Sequence, residues 1–121
     1  MKISKIKELL NAEVLCCEEL LEGEVNSACG CDMMSDVLAF VKDQAVLLTG
    51  LCNPQVVRTA MMMDMKCIVF VRGKNPSDDI VQLASDAGIV VMHSNERMYV
   101  ACGLLYANGL LGGECTEWKK K

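Results

Sequence analysis

Eight cysteines and one histidine are the residues of this sequence with the most versatile chemistry. The cysteines stand at positions 16, 17, 29, 31, 52, 67, 102 and 115. They do not form the paired CxxC motifs that usually hold zinc or an iron–sulfur cluster. Cys67 and Cys102 lie within apolar runs, where a reduced thiol packs as a small hydrophobic group. We therefore expect free thiols, as in a reducing cytosol, ahead of a metal site.

Catalytic signatures are missing from the sequence. It has no GxGxxG, GxxxxGK[ST], GxSxG or HExxH pattern, so the local marks of dinucleotide, P-loop, hydrolase and zinc-peptidase sites are absent. His93 follows a predicted strand and could act as a base or a ligand, but no carboxylate partner can be identified, and a lone histidine is more often structural. The sequence predicts that this protein is not an enzyme.

Three short apolar runs, at 46–48, 68–71 and 89–92, predict the strands that position these residues. They lack polar alternation, as expected of parallel strands covered on both faces. Amphipathic helical patterns separate the runs, which gives the order β-α-β-α-β. The methionines of the first of these helices are interpreted as core side chains: Met61, Met62, Met63 and Met65. A helix over 3–10, weak strands at 12–16 and 24–28, a helix after Asp32 and a last helix from 98 to 105 complete the pattern.

Local signals also predict where the helices begin and end. Asn53-Pro54 and Asn75-Pro76 stand 22 residues apart, and each is interpreted as an N-cap followed by the first helical residue. Asp32 and Ser94 are the cap candidates of two other helices. Gly88 is expected to end the helix before the third strand.

The loops that follow the predicted strands contain the candidate binding residues. In an open parallel sheet, ligands bind beyond the carboxyl ends of the strands, where these loops converge. Glycines there allow a close backbone approach, and two basic side chains favour an anion, with a nucleotide as one candidate. Ordinary βα loops use the same residue types, so a purely structural role stays open. The candidate residues are Thr49, Gly50, Asn53, Arg72, Gly73, Lys74, His93 and Ser94. Cys31-Asp32 and Ser35, at the start of the preceding helix, are additional candidates.

Composition limits the remaining classes. The 121 residues and 13.2 kDa suit one domain, which we place at 1–110 with a tail at 111–121. The net charge is −4 and no basic patch with aromatic residues occurs, which argues against a nucleic-acid partner. No apolar stretch approaches the ~20 residues needed to cross a bilayer, and the first residues do not resemble a signal peptide, so a cytoplasmic protein is expected. The last helix is apolar nearly all round, which predicts contact with a second subunit.

Four segments of the chain resemble the DRTGG-domain family: 28–40, 45–50, 68–73 with Pro76-Ser77, and 88–91. The resemblance covers roughly residues 1–110, although the five-letter string DRTGG itself is absent. It implies a three-layer α/β/α fold with a mainly parallel sheet, similar to the N-terminal domains of HPr kinase/phosphorylase and of the MurE and MurF ligases. DRTGG domains occur beside CBS domains and in phosphate acetyltransferases, which implies a regulatory or ligand-sensing role without catalysis. For a stand-alone member of the family, the resemblance implies a homodimer and a link to anaerobic hydrogen metabolism.

The leading hypothesis is a non-enzymatic, homodimeric module that binds an anionic metabolite or nucleotide and acts through a partner enzyme. A second hypothesis is a metal or iron–sulfur accessory protein. It would use Cys29 and Cys31 with Cys16, Cys17 or Cys52. A third is a scaffold without a small ligand, in which the last helix and the tail bind a larger enzyme. No cofactor can be named from the sequence.

Overall fold

The computed structural model of the chain describes residues 1–40 and 44–112. A single 3-10 turn, Glu18–Leu20, accompanies the longer elements in these residues. The helices are α1 (Ile3–Leu10), α2 (Met34–Phe40), α3 (Pro54–Met62), α4 (Asp78–Asp86) and α5 (Met98–Ala107). The strands are β1 (Glu13–Cys16), β2 (Ser27–Gly30), β3 (Ala45–Thr49), β4 (Cys67–Phe70) and β5 (Val90–His93).

The strands form one sheet in the order β1-β5-β4-β3-β2. The pairs β2/β3, β3/β4 and β4/β5 are parallel, whereas β1 is antiparallel to β5. Because consecutive strands β2 to β5 lie side by side, their carboxyl ends line up along one edge of the sheet. This confirms the predicted mainly parallel sheet, including the two weakly predicted strands, of which the second begins later than expected, at Ser27.

Helices cover both faces of the sheet. Alternate residues of β3 show the division, since Val46 and Leu48 pack with α1 and α5, whereas Leu47 packs with α2, α3 and α4. Every residue of β3 and β4 is buried, which is why these segments are apolar without alternation. The three-layer α/β/α fold is therefore confirmed. No helix in the described part of the chain is long and apolar enough to cross a membrane.

Three of the predicted helix starts are wrong. The first is Asp32, since α2 begins at Met34 and the Asp32 carboxylate accepts hydrogen bonds from Thr49 and Gly50 instead. Asn53 is the N-cap of α3, and its side chain accepts a hydrogen bond of 2.9 Å from the backbone N–H of Gln55, as expected. The N-cap of α4, however, is Ser77, so the Asn75-Pro76 pair lies before the helix. The N-cap of α5 is Arg97 and not Ser94. At the other end of α4, Gly88 follows the C-cap with a φ of 72°, as predicted for a helix-ending glycine.

The interpretation of the methionines is correct only in part. Met65 is buried and Met63 packs against the core, but Met61 and Met62 are 50% and 71% exposed. The helix turns these two side chains away from the sheet, because Val56, Val57 and Ala60 form its buried face.

The end of the predicted domain is attached to the edge of the sheet. Leu110 is buried, and the Leu111 carbonyl accepts a hydrogen bond of 3.0 Å from the Ala28 N–H of β2. Most of the predicted tail at 111–121, with Cys115, lies outside the described residues.

Candidate functional site at the carboxyl edge of the sheet

Asp32 connects the ends of two neighbouring parallel strands. It follows β2 closely, and its Oδ1 accepts hydrogen bonds from the Thr49 hydroxyl at 2.9 Å and from the Gly50 N–H at 2.8 Å. The Thr49 hydroxyl in turn accepts a hydrogen bond from the Leu51 N–H at 3.2 Å, so it is used both as a donor and as an acceptor. The hydrogen bond from Gly50 is the main reason that the pKa of Asp32 is lowered, helped by Thr49 and Arg72. Asp32 therefore stays ionised at the strand ends.

Arg72 is the cation of this site, and it comes from the end of the next strand, β4. Its Nη2 lies 3.7 Å from Asp32 Oδ2, and both side chains are about half exposed, at 46% and 48%. The guanidinium rests against Gly50, because a Cβ atom built at that position would overlap it. The glycine at position 50 therefore leaves room for the arginine side chain.

The backbone around Arg72 holds an unfavourable conformation. Its φ of 61° lies in the left-handed region, which costs a non-glycine residue about 1–2 kcal/mol. Two hydrogen bonds to the β5–α5 loop hold this turn, from Arg72 N–H to the Glu96 carbonyl at 2.7 Å and from Gly73 N–H to the Ser94 carbonyl at 2.9 Å. Gly73 is also left-handed, with a φ of 69°, which explains the need for glycine there.

Positive charge extends from Arg72 towards the start of α3. Lys74 is exposed, and the charges of Lys74 and Arg72 both lower the pKa of the Cys52 thiol, although partial burial has the larger effect and raises it overall. Both positive charges therefore lie near enough to Cys52 to act on its thiol. This positive patch occurs on a protein whose net charge is −4.

The structure brings together only some of the predicted site residues. Thr49, Gly50 and Arg72 meet around Asp32, and Gly73 and Lys74 continue the same loop. Asn53 lies at the start of α3, where its side-chain oxygen is used as the helix cap. Since Thr49 and Asn53 use their oxygens internally, the groups left for a ligand come from Asp32, Arg72 and Lys74.

Ser94 and His93 take part in contacts of their own. Ser94 is buried, donates to the Leu10 carbonyl at 2.7 Å and accepts from the Glu96 N–H at 3.1 Å, so its hydroxyl connects α1 to the β5–α5 loop. His93 Nε2 lies 3.0 Å from Glu13 Oε2, which supplies the carboxylate partner that the sequence did not reveal. Its Nδ1 is buried and has no hydrogen-bond partner among the described residues.

Asp32 is central to this arrangement, whereas the sequence indicated it only as a helix cap and as an addition to the site. In the structure α2 begins at Met34, and the Asp32 carboxylate turns to the end of β3 instead. An acidic residue shortly after one parallel strand, combined with Thr-Gly after the next, is the sequence signal that could have indicated this pairing.

The seven cysteines of the described residues are all free thiols, as expected. Burial raises the pKa of Cys16 and of Cys29 to about 11, and it also raises the pKa of Cys67, which is fully buried. Nowhere in residues 1–40 and 44–112 do three His, Cys, Asp or Glu side chains converge as metal ligands would. The cysteine-based hypothesis thus gains no support from the described chain.

A separate open groove of about 540 Å³ lies between the start of α1 and the end of α5. It contains none of the predicted site residues. Its lining is Met1, Lys2, Ser4, Lys5, Glu8, Asn108 and Gly109.

Comparison with known proteins agrees with this architecture. The model of the DRTGG domain family matches residues 5–106. The chain belongs to the DRTGG-domain family. Among solved structures it is similar to the CBS and DRTGG domains of the regulatory region of a Clostridium perfringens pyrophosphatase, crystallised with its activator diadenosine tetraphosphate. The TM-score is 0.68 at 18% identity, and the match covers 86% of this chain but only 45% of the other.

The match with this DRTGG-domain protein therefore spans less than half of that chain, and at this identity the likeness establishes the fold. The chain matches no curated protein sequence at a significant level.

Proposed function

We propose that this DRTGG-domain protein is a non-enzymatic regulatory module that binds an anionic metabolite, most suitably a nucleotide, at the carboxyl edge of its sheet. The observation that carries the proposal is the placement of Arg72. Its backbone is held in a left-handed turn and its guanidinium is seated against Gly50, while about half of its side chain stays exposed. A planar cation fixed in this way is suited to bind phosphate oxygens.

Two further observations support a nucleotide. Lys74 adds a second positive charge to the same region, on a protein that is acidic overall. The regulatory region with the similar fold was crystallised with a dinucleotide activator, diadenosine tetraphosphate. Both observations favour a phosphorylated ligand.

Isothermal titration calorimetry with diadenosine tetraphosphate, ATP, ADP and AMP tests this proposal. Removing one charge-assisted hydrogen bond costs about 1.5–3 kcal/mol, so Arg72→Ala should weaken binding by about 10- to 150-fold. The matched control is Arg58→Ala, since Arg58 is an exposed arginine of α3 and should leave affinity unchanged. Equal affinity of the Arg72→Ala variant and the parent protein would refute the placement of the site.

The proposed module forms a homodimer and signals to a partner protein. Helix α5 is the surface proposed for these protein contacts. Three apolar side chains of this helix are exposed: Tyr99 at 89%, Tyr106 at 66% and Val100 at 44%. Exposed aromatic residues of this kind favour protein contacts. Native mass spectrometry of the titrated protein reports subunit number together with bound ligand, and a monomer at all concentrations would exclude the dimer.

A further inference from the structure

The candidate site places a carboxylate beside its cations, and a site for a simple anion would not need one. We propose that Asp32 Oδ2 accepts a hydrogen bond from a hydroxyl of the ligand while Arg72 and Lys74 hold its phosphates, so that the ligand class is a ribonucleoside phosphate with a free ribose hydroxyl. This inference rests on the proposed function and narrows it.

The two oxygens of Asp32 have different surroundings. Oδ1 accepts both the Thr49 hydroxyl and the Gly50 N–H, which fixes the position of the carboxylate. Within residues 1–40 and 44–112, no hydrogen bond reaches Oδ2, whose nearest charged partner is Arg72 Nη2 at 3.7 Å. That distance is beyond a hydrogen bond. Oδ2 is therefore an oriented acceptor with room for a donor from a ligand.

Arg72 has the complementary property. Its guanidinium carries five N–H donors and, in the described chain, its one ion pair is the 3.7 Å contact with Asp32. A phosphate bound to these donors would lie close to the Asp32 carboxylate and be repelled by it. A ligand overcomes this repulsion when it also brings a hydrogen-bond donor for Oδ2, as a ribose hydroxyl does. Carboxylates that accept ribose hydroxyls are an established means of nucleotide recognition in parallel α/β sheets.

Three probes separate the hydroxyl from the phosphates: ATP, 2′,3′-dideoxy-ATP and inorganic tripolyphosphate. On the parent protein, calorimetry should show ATP binding about tenfold more tightly than the dideoxy compound, since a hydrogen bond to a charged acceptor is lost. Tripolyphosphate should bind more weakly still.

Asp32→Asn tests the role of the carboxylate itself. Asparagine keeps a side-chain oxygen for Thr49 and Gly50, so the fold should be retained, which circular dichroism verifies. Without the negative charge, we expect tripolyphosphate to bind severalfold more tightly and the preference for ATP over its dideoxy form to shrink. Asp36→Asn, at an exposed aspartate of α2, is the matched control and should change neither.

The outcomes distinguish an incorrect role for Asp32 from the absence of nucleotide binding at this edge of the sheet. If ATP and dideoxy-ATP bind the parent protein equally, and Asp32→Asn leaves all three affinities unchanged, the nucleotide site stands but the role of Asp32 is wrong. If Asp32→Asn weakens tripolyphosphate binding, the role of Asp32 is also wrong, because the carboxylate then supports anion binding. If none of the probes binds the parent protein, both this inference and nucleotide binding at this edge fail.

Discussion

Replacing Ser94 by alanine should destabilise the fold while leaving ligand affinity intact. Ser94 is 1% exposed, and its hydroxyl donates to the Leu10 carbonyl at 2.7 Å and accepts from the Glu96 N–H at 3.1 Å. The Leu10 carbonyl belongs to the last turn of α1, where carbonyls have no partner within the helix. Alanine leaves both backbone groups without this partner. Since a polar group left unpaired in the interior costs about 1–3 kcal/mol, we expect a loss of about 2 kcal/mol.

Urea denaturation measures this loss. With a urea dependence of about 1–3 kcal/mol per molar, a change of about 2 kcal/mol lowers the midpoint by about 1 M. Ser77→Ala is the matched control, because Ser77 is the exposed N-cap of α4 and its side chain makes no capping hydrogen bond. Its midpoint should stay close to that of the parent protein.

Two results would show the reasoning to be wrong. A Ser94→Ala midpoint equal to that of Ser77→Ala would mean that water or local rearrangement replaces the hydroxyl. A loss of nucleotide affinity without a loss of stability would return Ser94 to the list of ligand-binding residues.

Two further predictions concern the contact between Gly50 and Arg72 and the partly buried thiols of Cys16 and Cys29. Gly50→Ala should fold, since the three atoms nearest to its added methyl group all belong to the flexible end of Arg72. The methyl group should displace the guanidinium and weaken nucleotide binding about tenfold in calorimetry, and an unchanged affinity would contradict the contact between Gly50 and Arg72 as a determinant of binding. Stability to urea should fall as the pH rises from about 9 to about 11. Cys16 and Cys29 have a pKa of about 11 in the folded protein, above the ordinary thiol pKa of 9.0, so their contribution to stability is complete below pH 9 and is lost as the pH passes through 11. In the variant Cys16→Ala/Cys29→Ala, stability to urea should decline less steeply with pH. A slope identical to that of the parent protein would contradict the assignment of this pH dependence to the two thiols.

The strands that form the centre of the fold could be predicted because burial on both faces leaves a visible mark. Segments such as 45–48 and 67–70 are apolar without interruption, and no surface pattern competes with that signal. Helix starts were harder to predict. Asn53-Pro54 and Asn75-Pro76 are the same local pair, yet only the first begins a helix. Pro76 is buried before α4, so tertiary packing decides between the two.

The candidate site was predictable as far as strand ends determine it. Parallel strands bring Gly50 and Arg72 together, because the loops that follow their carboxyl ends converge. The hydrogen bonds of Asp32 could not be predicted, because its partners, 17 and 18 residues further along the chain, are neighbours only after β2 and β3 pair. His93 needed the position of Glu13, which lies 80 residues away on the antiparallel edge strand. Periodicity and spacing carry no information about such contacts.

The edge strand β2 also determines how this fold can be joined to other polypeptides. The amino group of Met1 donates to the Val25 carbonyl at 2.9 Å, and Leu111 bonds to Ala28 at 3.0 Å. Both ends of the folded core are therefore attached within a few residues of each other, beside one strand. A fold whose entry and exit lie together can be placed within a loop of a larger chain, or be circularly permuted, without breaking its sheet. The contacts that complete the core thus also make this fold suitable for insertion into other polypeptides.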